Sequence, residues 1–162
     1  MFIGIQPRRQ RRFLWATPLL FATLWVAYIV SAMRAPAGSI ATALDWGVLT
    51  GGLDSLPAWQ TAMADGSVLR LISGLFLHAD WIHLLGNLVF LLIFGLPAER
   101  TMGGRRFLLL FLLGGAVANL AAVLAIGAPD RVVIGASGAV SAVIGAYLAL
   151  FPGARLGVVL PL

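Results

Sequence analysis

Three side chains in apolar surroundings carry the chemistry open to this chain: the hydroxyl of Ser137, the imidazole of His83 and the carboxamide of Asn87. Ser137 stands among small residues in the stretch Gly135-Ala136-Ser137-Gly138-Ala139. His83 and Asn87 are four residues apart, which puts them on one face of a helix, a turn from each other. A hydroxyl attacks an electrophile when neighbours take its proton and hold the charge that develops, and imidazole and carboxamide donors can hold such a charge. The same groups can equally line a polar transport path or act as interhelical glue. A lone serine in a Gly/Ala-rich helix most often bonds a carbonyl one turn back, and Asn119 reads as glue.

These groups stand out only if their solvent is hydrocarbon, and composition says that it is. The 162 residues are 60% hydrophobic and 10% charged, with a mean hydropathy of +0.99. Soluble domains carry roughly 25% charged residues. The length allows one membrane domain of several spans. There is no cysteine, which excludes disulfides, thiol chemistry and Cys-type zinc sites. All 11 basic residues are arginine and the net charge is +5, a balance that invites a nucleic-acid reading until their placement is considered.

Four stretches approach the ~20 residues that cross a bilayer core: 13–33, 81–98, 107–128 and 132–154. A final apolar run, Leu156 to Leu162, reads as the opening of a fifth. Placing the N-terminus inside puts Arg8, Arg9, Arg11, Arg12, Arg100, Arg105, Arg106 and Arg155 on the cytoplasmic side. Arg34, Arg70 and Arg131 fall outside with five aspartates, so the positive charge is a topology signal and no nucleic-acid partner is expected. A cleaved signal peptide ending near Ala35-Pro36-Ala37 competes for the N-terminus, but the first apolar run is longer than a signal's ~7–15 residues. Residues 1–12 are expected to be a basic cytoplasmic N-terminus, and 13–162 an all-α membrane domain. Arginine-only basic residues and abundant alanine fit a bacterial inner membrane.

Between the first two spans, residues 34–80 form a connection far longer than usual. Trp46, Leu49, Leu53, Leu56 and Trp59 alternate there with glycine, aspartate and proline, which suggests a compact structure at the outer interface or a loop packed loosely over the spans. Asp80 is a plausible N-cap that starts the second span at Trp81. His83 then lies in its first turn near the outer surface, with His78 at the rim. Counted from the cytoplasmic ends, Ser137 lies about 22 Å up, and His83 and Asn87 about 24 and 18 Å. The small residues Gly138, Ala142 and Ala146, with Ser141 and Gly145, suggest close approach to the second span beside Gly86. Such an approach brings hydroxyl, imidazole and carboxamide together in a site opening outward. Two histidines five residues apart suit a helical metal site poorly, so no metal is expected. Arg70 and Glu99 flank membrane segments and are either simple interfacial charges or, with Gly135 and Gly138, residues that support the site.

At these residues the sequence resembles the rhomboid family of intramembrane serine proteases, over nearly the whole stretch from Arg70 to Leu162. His78-Ala79-Asp80-Trp81-Ile82-His83-Leu84-Leu85-Gly86-Asn87 is similar to the family's HxxxxHxxxN element, and Gly135-Ala136-Ser137-Gly138 to its GxSG motif. Glu99 followed by Gly103-Gly104-Arg105-Arg106-Phe107 resembles the family's junction between second and third spans. The resemblance implies Ser137 as nucleophile, with His83, Asn87 and the Ser137 N–H as oxyanion donors and His78 in support. It implies a six-span bundle and a transmembrane helix of a protein substrate as partner; no motif in the sequence supports a cofactor, and none is expected.

Three departures accompany it. Of the Trp-Arg pair common in the family's first loop, Leu69-Arg70 keeps only the arginine. Where some members place an aromatic four residues after the nucleophile, Ser141 stands. The family's base is a histidine on a sixth span, whereas both histidines here match the oxyanion corner, so the base is expected beyond Leu162 in a longer protein. The competing readings are a rhomboid-like protein that binds membrane helices without cutting them, and a transporter fragment using His83 and Asn87.

Overall fold

The computed structural model describes residues 13–34, 36–50, 53, 55–126 and 131–154. Arg8, Arg9, Arg11 and Arg12, Ala35, Gly51, Gly52, Asp54, Ala128, Asp130 and the run from Arg155 to Leu162 lie outside the described residues. The described residues form an all-α bundle with one two-stranded ribbon. Three of its described helices are long and apolar enough to cross a membrane: α1 (Ala16–Met33), α5 (Trp81–Met102) and α6 (Gly104–Ala125). The chain is thus an integral membrane protein.

The connection after α1 is built rather than loose. It contains α2 (Pro36–Trp46), β1 (Val48–Leu49), α3 (Leu56–Ala64) and the short apolar helix α4 (Ser67–Phe76). Ser55 caps α3 by accepting the Ala58 N–H at 3.3 Å. Val48, Leu53, Ala62 and Leu71 bury a small core of their own against Val123 of α6. Polar ties complete it: Arg70 Nη1 donates to the Leu44 carbonyl at 3.0 Å and Ser73 Oγ to Trp46 O at 2.7 Å. Asn119 is the interhelical glue expected of it, its Nδ2 donating to Leu71 O at 2.9 Å.

In α5, Asp80 takes the expected cap position, accepting the His83 N–H at 2.8 Å. Pro97 has no N–H for the carbonyl one turn back, and the helix widens just before it into a π turn at Leu91–Gly95. Gly103, at φ 88°, reverses the chain into α6.

The last described helix, α7 (Ser137–Leu150), has 14 residues and spans only about 21 Å. The expected span over 132–154 is therefore not helical throughout. Val132–Val133 form β2 instead, antiparallel to β1 with Val48 opposite Val133 and Leu49 opposite Val132. The glycine row of α7 also has a different neighbour from the one expected. A Cβ on Gly138 would collide with Ala118, and one on Gly114 would lie 2.5 Å from the Ala142 Cβ, so the small residues seat α7 on α6. Gly86 has open space beside it and makes no such contact. α7 meets α5 through larger groups, including Phe94 and Tyr147 at 5.1 Å between ring centres.

Candidate active site

Ser137 is the first residue of α7. The turn before it is set by Gly135, whose φ of 117° an L-residue rarely adopts. That turn is pinned from both sides: the Gly135 N–H donates to Gly74 O at 2.8 Å, and β2 just upstream is held by β1. The outer connection is thus hydrogen-bonded directly to the residues that present Ser137. Because the first amides of a helix have no intrahelical acceptor, the Ser137 and Gly138 N–H groups point out of the start of α7, where developing negative charge is favoured.

The histidines lie against this turn. A Cβ built on Gly135 would stand 2.6 Å from His83 Cε1 and 2.9 Å from its Nε2, so only a glycine lets the imidazole approach this closely. The His83 ring meets His78 edge to face, 5.1 Å between centres. His78, just before the Asp80 cap, is buried within the fold at 6% exposed, and burial is the main cause that pushes its pKa down to about 4, with His83 second. Its Nε2 lies 3.0 Å from Asn87 Nδ2 and 3.4 Å from the Ala136 N. Asn87 is buried one turn along α5 from His83.

The structure therefore brings His78, His83, Asn87 and the Gly135–Ser137 turn together, and leaves Ser137 and Ser141 exposed on one face of α7. Ser141 Oγ donates to the Ser137 carbonyl at 2.8 Å, the back-bond that a helical serine commonly makes. Gly138 serves the packing of α7 on α6. Arg70 braces the outer connection, as described above. Glu99 is no interfacial charge: it is fully buried and its carboxylate accepts the N–H groups of Trp15, Ala16 and Thr17, each at 2.8 Å. Two contributors carried no signal in their residue types, the Gly74 carbonyl and the β1–β2 pairing.

One consequence is testable at Gly135. Gly135→Ala is expected to cost about 1–3 kcal/mol, from a backbone angle foreign to alanine and from the methyl's collision with His83. Thermal unfolding in detergent checks it, and an unchanged midpoint would show that the turn relaxes freely.

The Rhomboid domain family model matches residues 65–161. YdcA of Bacillus subtilis (strain 168) is 35% identical over 96 residues, 59% of this chain and 47% of that protein. Rhomboid-like protease 3 of Toxoplasma gondii is 36% identical over 92 residues, 57% of this chain and 34% of the relative. Rhomboid-related protein 2 of Mus musculus is 34% identical over 104 residues, 64% of this chain and 32% of the relative. The chain thus spans about half or less of the length of these relatives. No solved structure gives a significant match.

Proposed function

The chain belongs to the rhomboid family, and from that premise we propose that it is the nucleophile-bearing part of an intramembrane serine protease that cleaves transmembrane helices. The observation that carries this reading is the seating of the Gly135–Ser137 turn on His78, His83 and Asn87. Ser137 Oγ attacks a peptide carbonyl and gives up its proton to a base as the C–O bond forms. The oxyanion is held by the Ser137 N–H and the side chains of His83 and Asn87, each donor worth about 3 kcal/mol of barrier. Collapse breaks the C–N bond, the amine leaves with the proton, and water hydrolyses the acyl-enzyme.

Neither histidine suits the role of base. His78 Nε2 is engaged by Asn87 and Ala136, and His83 lies against Gly135, on the oxyanion side. The base is proposed to be a histidine from beyond Leu162, reaching Ser137 across the exposed face of α7. Substrate helices are proposed to unwind near small or helix-breaking residues so that their backbone reaches Ser137 beside the outer connection. The arginine distribution supports a cytoplasmic N-terminus and a site opening outward from a bacterial inner membrane.

The engagement of His78 Nε2 also favours a second reading, a rhomboid-like protein that holds membrane helices without cutting them. Reconstituting the product of the complete reading frame in vesicles with a tagged transmembrane helix separates the two. Two fragments are expected. An intact helix that co-purifies with the protein would replace the protease by the binder.

A further inference from the structure

The contacts of His78 fix its chemical form. A backbone N–H can only donate, so the Ala136 N–H directed at Nε2 over 3.4 Å requires a lone pair there. A neutral imidazole then carries its proton on Nδ1. With Nε2 an acceptor, Asn87 must turn its amide nitrogen towards it, since the carboxamide oxygen would set two acceptors 3.0 Å apart. Tautomer and amide orientation are each undetermined at most sites; here one settles the other.

We propose that His78 is a positioning residue, a neutral Nδ1–H imidazole whose Nε2 lone pair ties the Asn87 carboxamide to the Ala136 N–H, and that a proton on Nε2 opens this tie and disarms the Ser137 turn. The tie joins α5 to the residue before Ser137, and it leaves Asn87 its second Nδ2–H to offer elsewhere. The effect on the reaction rests on the protease reading; the tautomer does not.

The surroundings keep the ring neutral. Among the described residues, the charged or titratable groups acting on it are His83, which opposes a second positive charge, and Asp80, which favours one. The Phe76 carbonyl also favours protonation, although Nδ1 has no partner in hydrogen-bond geometry. Burial outweighs these and holds the ring near 4, against 6.5 when free. The folded state thus resists a proton that the unfolded chain accepts. Stability from this group is complete above pH 6.5, drains away as pH falls towards about 4, and levels off below.

Two measurements test this separately. The chain contains two histidines, so nitrogen NMR of the histidine-labelled chain in micelles resolves both rings, and His78→Gln assigns them. At pH 7 the His78 ring is expected to show a protonated Nδ1 and a bare Nε2; a proton on Nε2 overturns the proposal. In the complete reading-frame product, fluorophosphonate labelling of Ser137 is expected to slow by roughly tenfold in His78→Ala. His78→Gln, whose carbonyl oxygen can accept near the Nε2 position without titrating, is expected to recover most of that loss. Equal loss in both variants overturns the acceptor role. If the parent protein takes no label, the protease reading falls while the NMR result still decides the tautomer.

Discussion

Ser137→Ala is expected to abolish fluorophosphonate labelling of the complete protein and to lower cleavage of a substrate helix by about 10⁴–10⁶-fold. The size follows from the role: without the nucleophile, oxyanion donors have no tetrahedral intermediate to hold. The fold is expected to survive. Ser137 is exposed at the first position of α7, so removing its Oγ empties no packed volume, and the Gly135 N–H bond to Gly74 that shapes the turn is untouched. Ser141 supplies the control, because it is a second serine one turn along the same exposed face, bonded to the Ser137 carbonyl. Ser141→Ala should retain labelling. If instead Ser137→Ala keeps the label, the nucleophile lies elsewhere and the assignment of the GxSG motif fails.

Much of this arrangement was legible because it is local. An aspartate before an apolar run announces a helix start, and four-residue spacing places His83 and Asn87 on one face. What the sequence concealed was mainly long-range. Val132 and Val133 read as part of a span because apolar β-branched residues suit a buried strand as well as a helix. Only their partners, Val48 and Leu49, decide between the two, and these are far away in the chain. The small residues of α7 announced close packing without naming the neighbour, and Ala118 rather than Gly86 proved complementary to Gly138. His78 stood outside the second span by hydropathy, yet the turn before Ser137 folds over it.

Glu99 is the sharpest case, because a charge at the end of a span looks the same whether it meets water or a helix terminus. Its partners are backbone amides, which leave no mark on residue type. Trp15, the residue before α1, provides no side-chain cap, so the helix's opening N–H groups depend on the carboxylate from α5. Negative charge there also meets the positive end of the helix dipole. Glu99→Leu would leave two buried donors and one half-buried donor unpaired at ~1–3 kcal/mol each before relaxation, and the expected loss is about 3–5 kcal/mol of unfolding free energy, comparable to breaking a buried ion pair. Glu99→Gln keeps one oxygen but turns an NH₂ donor towards an N–H donor, so it should fall between the two. Denaturant titration in mixed micelles reads the order wild type, Gln, Leu. A Leu variant as stable as wild type would remove the capping role; a Gln variant as stable as wild type would show that hydrogen bonding suffices without charge. The consequence reaches the site, because Leu20 and Leu24 of α1 share one buried cluster with Leu84 and Leu88 of α5. When α1 loses its cap, the helix that carries His83 and Asn87 loses the surface it packs on, so labelling of Ser137 should weaken in Glu99→Leu even though the reacting groups are unchanged.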